Sequence, residues 1–68
     1  MTQTRTHRGR EILIETVTIG AYAKVSAIDC LTGTEVSITG PASAERASLE
    51  TAAVNKLEFV LKKREAKS

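Results

Sequence analysis

The sequence predicts an α+β domain: a three-stranded antiparallel meander sheet with one long C-terminal helix packed on one face, in the order β-β-β-α. Three observations carry that prediction. Residues 12–39 are rich in β-branched side chains and are divided by Gly20 and Gly33, the pattern of short strands joined by tight turns. Beyond Gly40-Pro41 the apolar residues recur at spacings of three and four, which is the helical period. The length of 68 residues allows one core and leaves no room for a second.

The first expected strand is the run Ile12-Leu13-Ile14-Glu15-Thr16-Val17-Thr18-Ile19, which stops at Gly20. Glycine there supplies the positive φ that a two-residue hairpin turn needs at its first central position. That turn sets Ile19 against Tyr22, Thr16 against Val25, Ile14 against Ala27 and Leu13 against Ile28. A second turn over Cys30-Leu31-Thr32-Gly33, with Gly33 as its left-handed residue, sets Asp29 against Thr34, Ala27 against Val36 and Val25 against Ile38. The two registers are deduced separately and agree on which side chains share a face, which a one-residue slip in either would destroy. One face collects Ile12, Ile14, Thr16, Thr18, Ala23, Val25, Ala27, Val36 and Ile38, small or β-branched groups suited to lying under a helix. The other collects Leu13, Val17, Ile19, Tyr22 and Ile28 among polar residues, and a single helix cannot cover it.

Gly40-Pro41 is expected to end the third strand, since proline cannot donate to the ladder. Ser43 is the expected N-cap of a helix reaching about Lys63. Leu49, Ala53, Leu57, Val60 and Leu61 form its buried stripe, and Lys62, Lys63 and Arg64 suit its negative end. Phe59 lies off the stripe: the burial preference of aromatics favours its wrapping the helix edge onto the first or third strand, and the alternative is a partner contact.

The ends differ from the body. Arg5, Arg8 and Arg10 occur with no acid in residues 1–10, and Lys62, Lys63, Arg64 and Lys67 outnumber Glu65 in residues 61–68, whereas acids dominate between. With no apolar periodicity, residues 1–8 read as a disordered basic arm, residues 9–63 as the single domain and residues 64–68 as a frayed basic tail.

These features narrow the function classes. There is neither a signal-peptide h-region nor an apolar run of membrane-spanning length, so a cytoplasmic protein is expected, in keeping with one unpaired thiol, Cys30. No Cys/His cluster suggests a metal, and no fingerprint suggests a cofactor. His7 sits in the expected arm, Ser26 and Ser37 are ordinary cross-strand neighbours, and Cys30 has no adjacent cation to lower its pKa. No catalytic constellation is expected, and the chain reads as a non-enzyme.

The segments Gly9-Arg10-Glu11-Ile12-Leu13-Ile14-Glu15, Lys24-Val25-Ser26-Ala27-Ile28-Asp29, Thr32-Gly33-Thr34-Glu35-Val36-Ser37-Ile38, Gly40-Pro41 and Lys56-Leu57-Glu58-Phe59-Val60-Leu61 resemble a family of short alphaproteobacterial proteins of unknown function. The resemblance covers roughly residues 9–62. Cys30 replaces an expected proline and Thr16 an expected larger aromatic. Some members of that family carry the label serine hydroxymethyltransferase. An enzyme of that type needs a Schiff-base lysine, a phosphate cradle and a large domain, so the label reads as a transferred error. What the resemblance implies is a fold boundary and a bacterial setting, with no function.

The functional expectation is a small interaction module, homodimeric through the open sheet face or an edge strand, with Leu13, Val17, Ile19, Tyr22 and Ile28 as its contacts. So small a core commonly needs a second subunit. The alternative is weak nucleic-acid binding, to RNA in the first instance, through Arg5, Arg8, Arg10, Lys62, Lys63 and Arg64 and the open sheet face.

Overall fold

The computed structural model describes residues 2–67. It contains strands β1 (Thr2–His7), β2 (Arg10–Ile19), β3 (Tyr22–Asp29) and β4 (Glu35–Pro41), then helix α1 (Arg46–Lys67). The strands form one antiparallel sheet in the order β1-β2-β3-β4. The fold is therefore α+β with a C-terminal helix, as expected, but its sheet has four strands and not three.

From β2 to β4 the register is the one the turns dictate. Ile19 faces Tyr22, Ile14 faces Ala27 and Leu13 faces Ile28, while Ala27 faces Val36 and Val25 faces Ile38. Gly20 (φ 57°) and Gly33 (φ 75°) hold the left-handed conformation in their turns, a region glycine enters without a Cβ clash. Asp29 N–H donates to Thr34 O at 2.8 Å and closes the second turn.

The additional strand is β1, built from the residues expected to form a disordered arm. Its alternation escapes a search for apolar periodicity because it is polar on both faces: Thr2, Thr4 and Thr6 on one, Gln3, Arg5 and His7 on the other. Arg8 (φ 54°) and Gly9 (φ 79°) both take positive φ, the signature of a type I′ turn between twisted strands. The turn sets His7 against Arg10, Arg5 against Ile12 and Gln3 against Ile14, so Arg5 and His7 share the helix side of the sheet with Ile12 and Ile14.

The helix begins at Arg46, three residues after the expected cap. β4 runs through Pro41 itself, which an edge strand tolerates where the missing N–H would face outward. Residues 42–45 then reverse the chain, with Ala44 N–H donating to Pro41 O. Glu45 takes the capping position, its carbonyl accepting from Ser48 and Leu49 N–H. The helix also continues to Lys67, through residues expected to fray, because Arg64 Nη1 donates to Thr34 Oγ1 at 2.7 Å and Glu65 pairs with Arg10. Met1 and Ser68, the outer ends of the expected arm and tail, lie outside the described residues.

α1 lies closest over β3 and β4. Ala53, Val54, Leu57 and Leu61 bury against Ile12, Ile14, Val25, Ala27 and Val36, with Leu49, Val60 and Ile38 at the margin. Phe59 does not wrap onto a strand. It is 65% exposed on the outer side of the helix, with Lys63 Nζ 6.0 Å from its ring centre.

Candidate interaction surface

Among the described residues no element covers the sheet face opposite α1. By register, Leu13 stands beside Ile28 and Ile19 beside Tyr22, with Val17 between these pairs along β2. Val17, Ile19 and Tyr22 are 46%, 51% and 48% exposed, whereas Leu13 and Ile28 are half-buried. Glu15, Lys24, Ser26 and Ser37 interrupt the apolar groups, Lys24 standing directly opposite Val17, and the two serine hydroxyls lie 3.0 Å apart. All five expected contact residues thus share one face, as an apolar pair at Leu13 and Ile28 and an apolar patch at Val17, Ile19 and Tyr22.

The opposite side of the sheet shows where the basic residues go. The helix axis is displaced toward β4, so only long side chains can reach it from β1 and the β1–β2 turn. Arg5 Nη2 pairs with Glu50 Oε1 at 2.9 Å, His7 Nε2 with Glu58 Oε2 at 2.9 Å, and Arg8 Nη1 with Glu58 Oε1 at 2.9 Å. Arg10 reaches both Asp29 and Glu65. Lys62 lies 3.7 Å from Glu58 along the helix. The His7 hydrogen bond, together with the charges of Arg8 and Lys62, holds the Glu58 carboxyl below its ordinary range against the opposing effect of desolvation. Of the six residues expected to meet phosphate, Arg5, Arg8, Arg10 and Lys62 therefore stand beside carboxylates, Arg64 donates to Thr34, and Lys63 lies over Phe59.

A polar knot at the end of β3 was not foreseen. Asp29 is fully buried. Its Oδ2 accepts from Thr32 Oγ1 at 2.7 Å, Thr32 N–H at 3.3 Å and Arg10 Nη1 at 3.2 Å. The Thr32 hydroxyl is the main reason its carboxyl is held below the usual aspartate range, and Arg10 adds to it while burial opposes. Above the knot lies an open cleft of about 320 Å³ lined by Arg10, Leu31, Thr32, Thr34, Leu61, Arg64 and Glu65. The signal in the sequence was the Asp29-x-x-Thr32 spacing, in which an aspartate bonds a threonine across a turn. Cys30 is exposed. Among the described residues no three His, Cys, Asp or Glu side chains gather as a metal site, and no helix is long and apolar enough to cross a membrane.

Residues 9–64 match the domain of unknown function DUF6898. The chain belongs to that family. The DUF6898 match opens at Gly9, the second residue of the β1–β2 turn, so it takes in β2, β3, β4 and nearly all of α1 while β1 precedes it. No curated protein and no solved structure matches the chain.

Proposed function

We propose that this chain is a small non-catalytic interaction module that forms a homodimer through the open sheet face or an edge strand. The observation that carries the reading is the patch of Val17, Ile19 and Tyr22, each about half exposed, on the same bare face as the half-buried pair Leu13 and Ile28. A second copy is the occupant that the energetics favour. The buried apolar core includes three alanines, Ala23, Ala27 and Ala53, and contains no aromatic residue, and a chain this short commonly gains its missing burial from another subunit. Sheets stack face to face at about 10 Å with interdigitating side chains, and the exposed Val17, Ile19 and Tyr22 side chains suit that geometry. A cytoplasmic setting belongs to the same reading. Nucleic-acid binding draws less support, because Arg5, Arg8 and Arg10 direct their charge at carboxylates.

Solution mass by light scattering after size exclusion, with reductant present, tests the reading. A dimer is expected, and Val17→Thr combined with Ile19→Thr should shift it toward monomer while preserving strand propensity and the circular dichroism spectrum. A wild-type monomer at all accessible concentrations would refute it.

A further inference from the structure

The two edges of the sheet are not equivalent. In β4 the hydrogen-bonded pairs with β3 fall at Val36, Ile38 and Gly40, which turns the backbone groups of Glu35, Ser37, Thr39 and Pro41 outward. Two of those positions are occupied or missing. Lys56 Nζ donates to the Ser37 carbonyl at 3.0 Å, and Pro41 has no N–H to offer. Lysine and proline are the usual means of closing an edge to further pairing.

β1 has no such protection. A two-residue turn is flanked by a hydrogen-bonded pair, here His7 with Arg10, so Gln3, Arg5 and His7 direct their backbone groups at β2. Thr2, Thr4 and Thr6 therefore turn theirs outward, and among the described residues no strand lies beyond them. The row has no proline, no lysine and no bulge, and its side chains are all β-branched.

We propose that β1 pairs antiparallel with β1 of a second copy about a two-fold axis at Thr4, joining two sheets into one of eight strands. The inference rests on the self-association reading and specifies how two copies meet at this edge. Parity and charge select the register. Outward groups must face outward groups, so Thr4 faces Thr4 of the second copy and Thr2 faces its Thr6. Arg5 then stands opposite Gln3. Sliding to the next allowed register, centred on Arg5, would set two arginines directly opposite, and like charges in that position are destabilising. Sliding the other way, to a centre at Gln3, leaves Thr6 and His7 without partners. Threonine opposite threonine on the open face is a favourable cross-strand pair. An axis perpendicular to the sheet keeps both helices on one side and the apolar groups of both copies on the other, with a Leu13 flanking the Thr4 pair from each copy.

Single cysteines, each introduced with Cys30→Ser, test the register. Under mild oxidation Thr4→Cys should give a covalent dimer, since its Cα atoms would lie about 5.5 Å apart, within disulfide reach. Thr2→Cys and Thr6→Cys should not, because each would lie about 14 Å from its own copy. Equal cross-linking at all three positions, or none at Thr4, overturns the proposal. Thr4→Pro provides a second reading. It removes an outward N–H without touching the β1–β2 ladder, and should lower the dimer fraction with unchanged circular dichroism. A dimer that persists in Thr4→Pro but is lost on Val17→Thr with Ile19→Thr would sink the edge pairing and leave the face reading standing. The reverse pattern would do the opposite.

Discussion

Replacing Asp29 by alanine should be among the most damaging single changes on the polar side of this fold. The substitution removes the acceptor for three hydrogen bonds and the carboxylate that Arg10 approaches at 3.2 Å. Hydrogen bonds to a charged group contribute about 1.5–3 kcal/mol each, and breaking a buried pair costs about 3–5 kcal/mol. Two facts reduce the sum. Thr32 Oγ1 keeps Thr34 as a partner and Arg10 keeps Glu65. Asp29 Oδ1, moreover, is buried with no hydrogen-bond partner among the described residues, so the native carboxylate is itself imperfectly satisfied. A net loss of about 2–3 kcal/mol follows, against a total of roughly 3–10 kcal/mol for a chain of this length. The melting temperature should fall by roughly 10–20 °C. The effect has a pH signature. The folded pKa of Asp29 is lowered from the 3.8 of the free side chain, so the unfolded chain takes up this proton first as acid is added. Its contribution is complete above the unfolded value and is lost as pH falls through the folded one. Thermal melts followed by circular dichroism from neutral pH down to pH of about 3 should therefore show wild type and Asp29→Ala converging at the acid end. A loss under about 0.5 kcal/mol at neutral pH, or two parallel pH curves, would refute the account of the knot.

Three further outcomes can be checked on the same material. Leu57 is fully buried beneath the sheet, and Leu57→Ala should cost about 2–5 kcal/mol, enough to leave much of the population unfolded in a denaturant titration. Arg8 holds φ 54° in the β1–β2 turn, and Arg8→Gly should stabilise by roughly 0.5–1 kcal/mol, because the exposed ion pair to Glu58 that it gives up is worth little; a lowered melting temperature would contradict this. Added salt should speed hydrogen exchange at Gln3, Arg5 and His7, whose amides face β2, while leaving the amides of β3 unchanged, since β1 is tied to the helix by the Arg5–Glu50 ion pair that ions screen. Equal acceleration in both strands would argue against an ionic attachment.

The part of the fold that turn geometry controls could be read from the sequence. Gly20 and Gly33 place β2, β3 and β4 in register because each turn has one left-handed position and both must put the same residues under the helix. β1 was illegible for a specific physical reason. An edge strand that buries no apolar group carries no hydrophobic alternation, and its partners, Glu50 and Glu58, lie more than forty residues away. Threonine at positions 2, 4 and 6 before an Arg-Gly turn was the available signal. The helix start moved because Pro41 belongs to the strand, and the cap can follow only after the chain has reversed. The open face is where the residues predicted it to be, since pleat and register alone decide it. Phe59 shows the opposite limit: the burial preference of an aromatic side chain yields to its angular position on the helix.

Every strand here pairs with its neighbour in sequence, so the sheet can be assembled by closing short loops in succession. The longest separations are those of the carboxylates and apolar groups that α1 brings back over the sheet. During synthesis the four strands emerge before the helix, with Ile12, Ile14, Val25 and Ala27 uncovered until it arrives. A nascent chain stalled near Ser43 would present two bare sheet faces in place of one, and the 22 residues of α1 would then act as the built-in shield that separates a productive chain from an aggregating one.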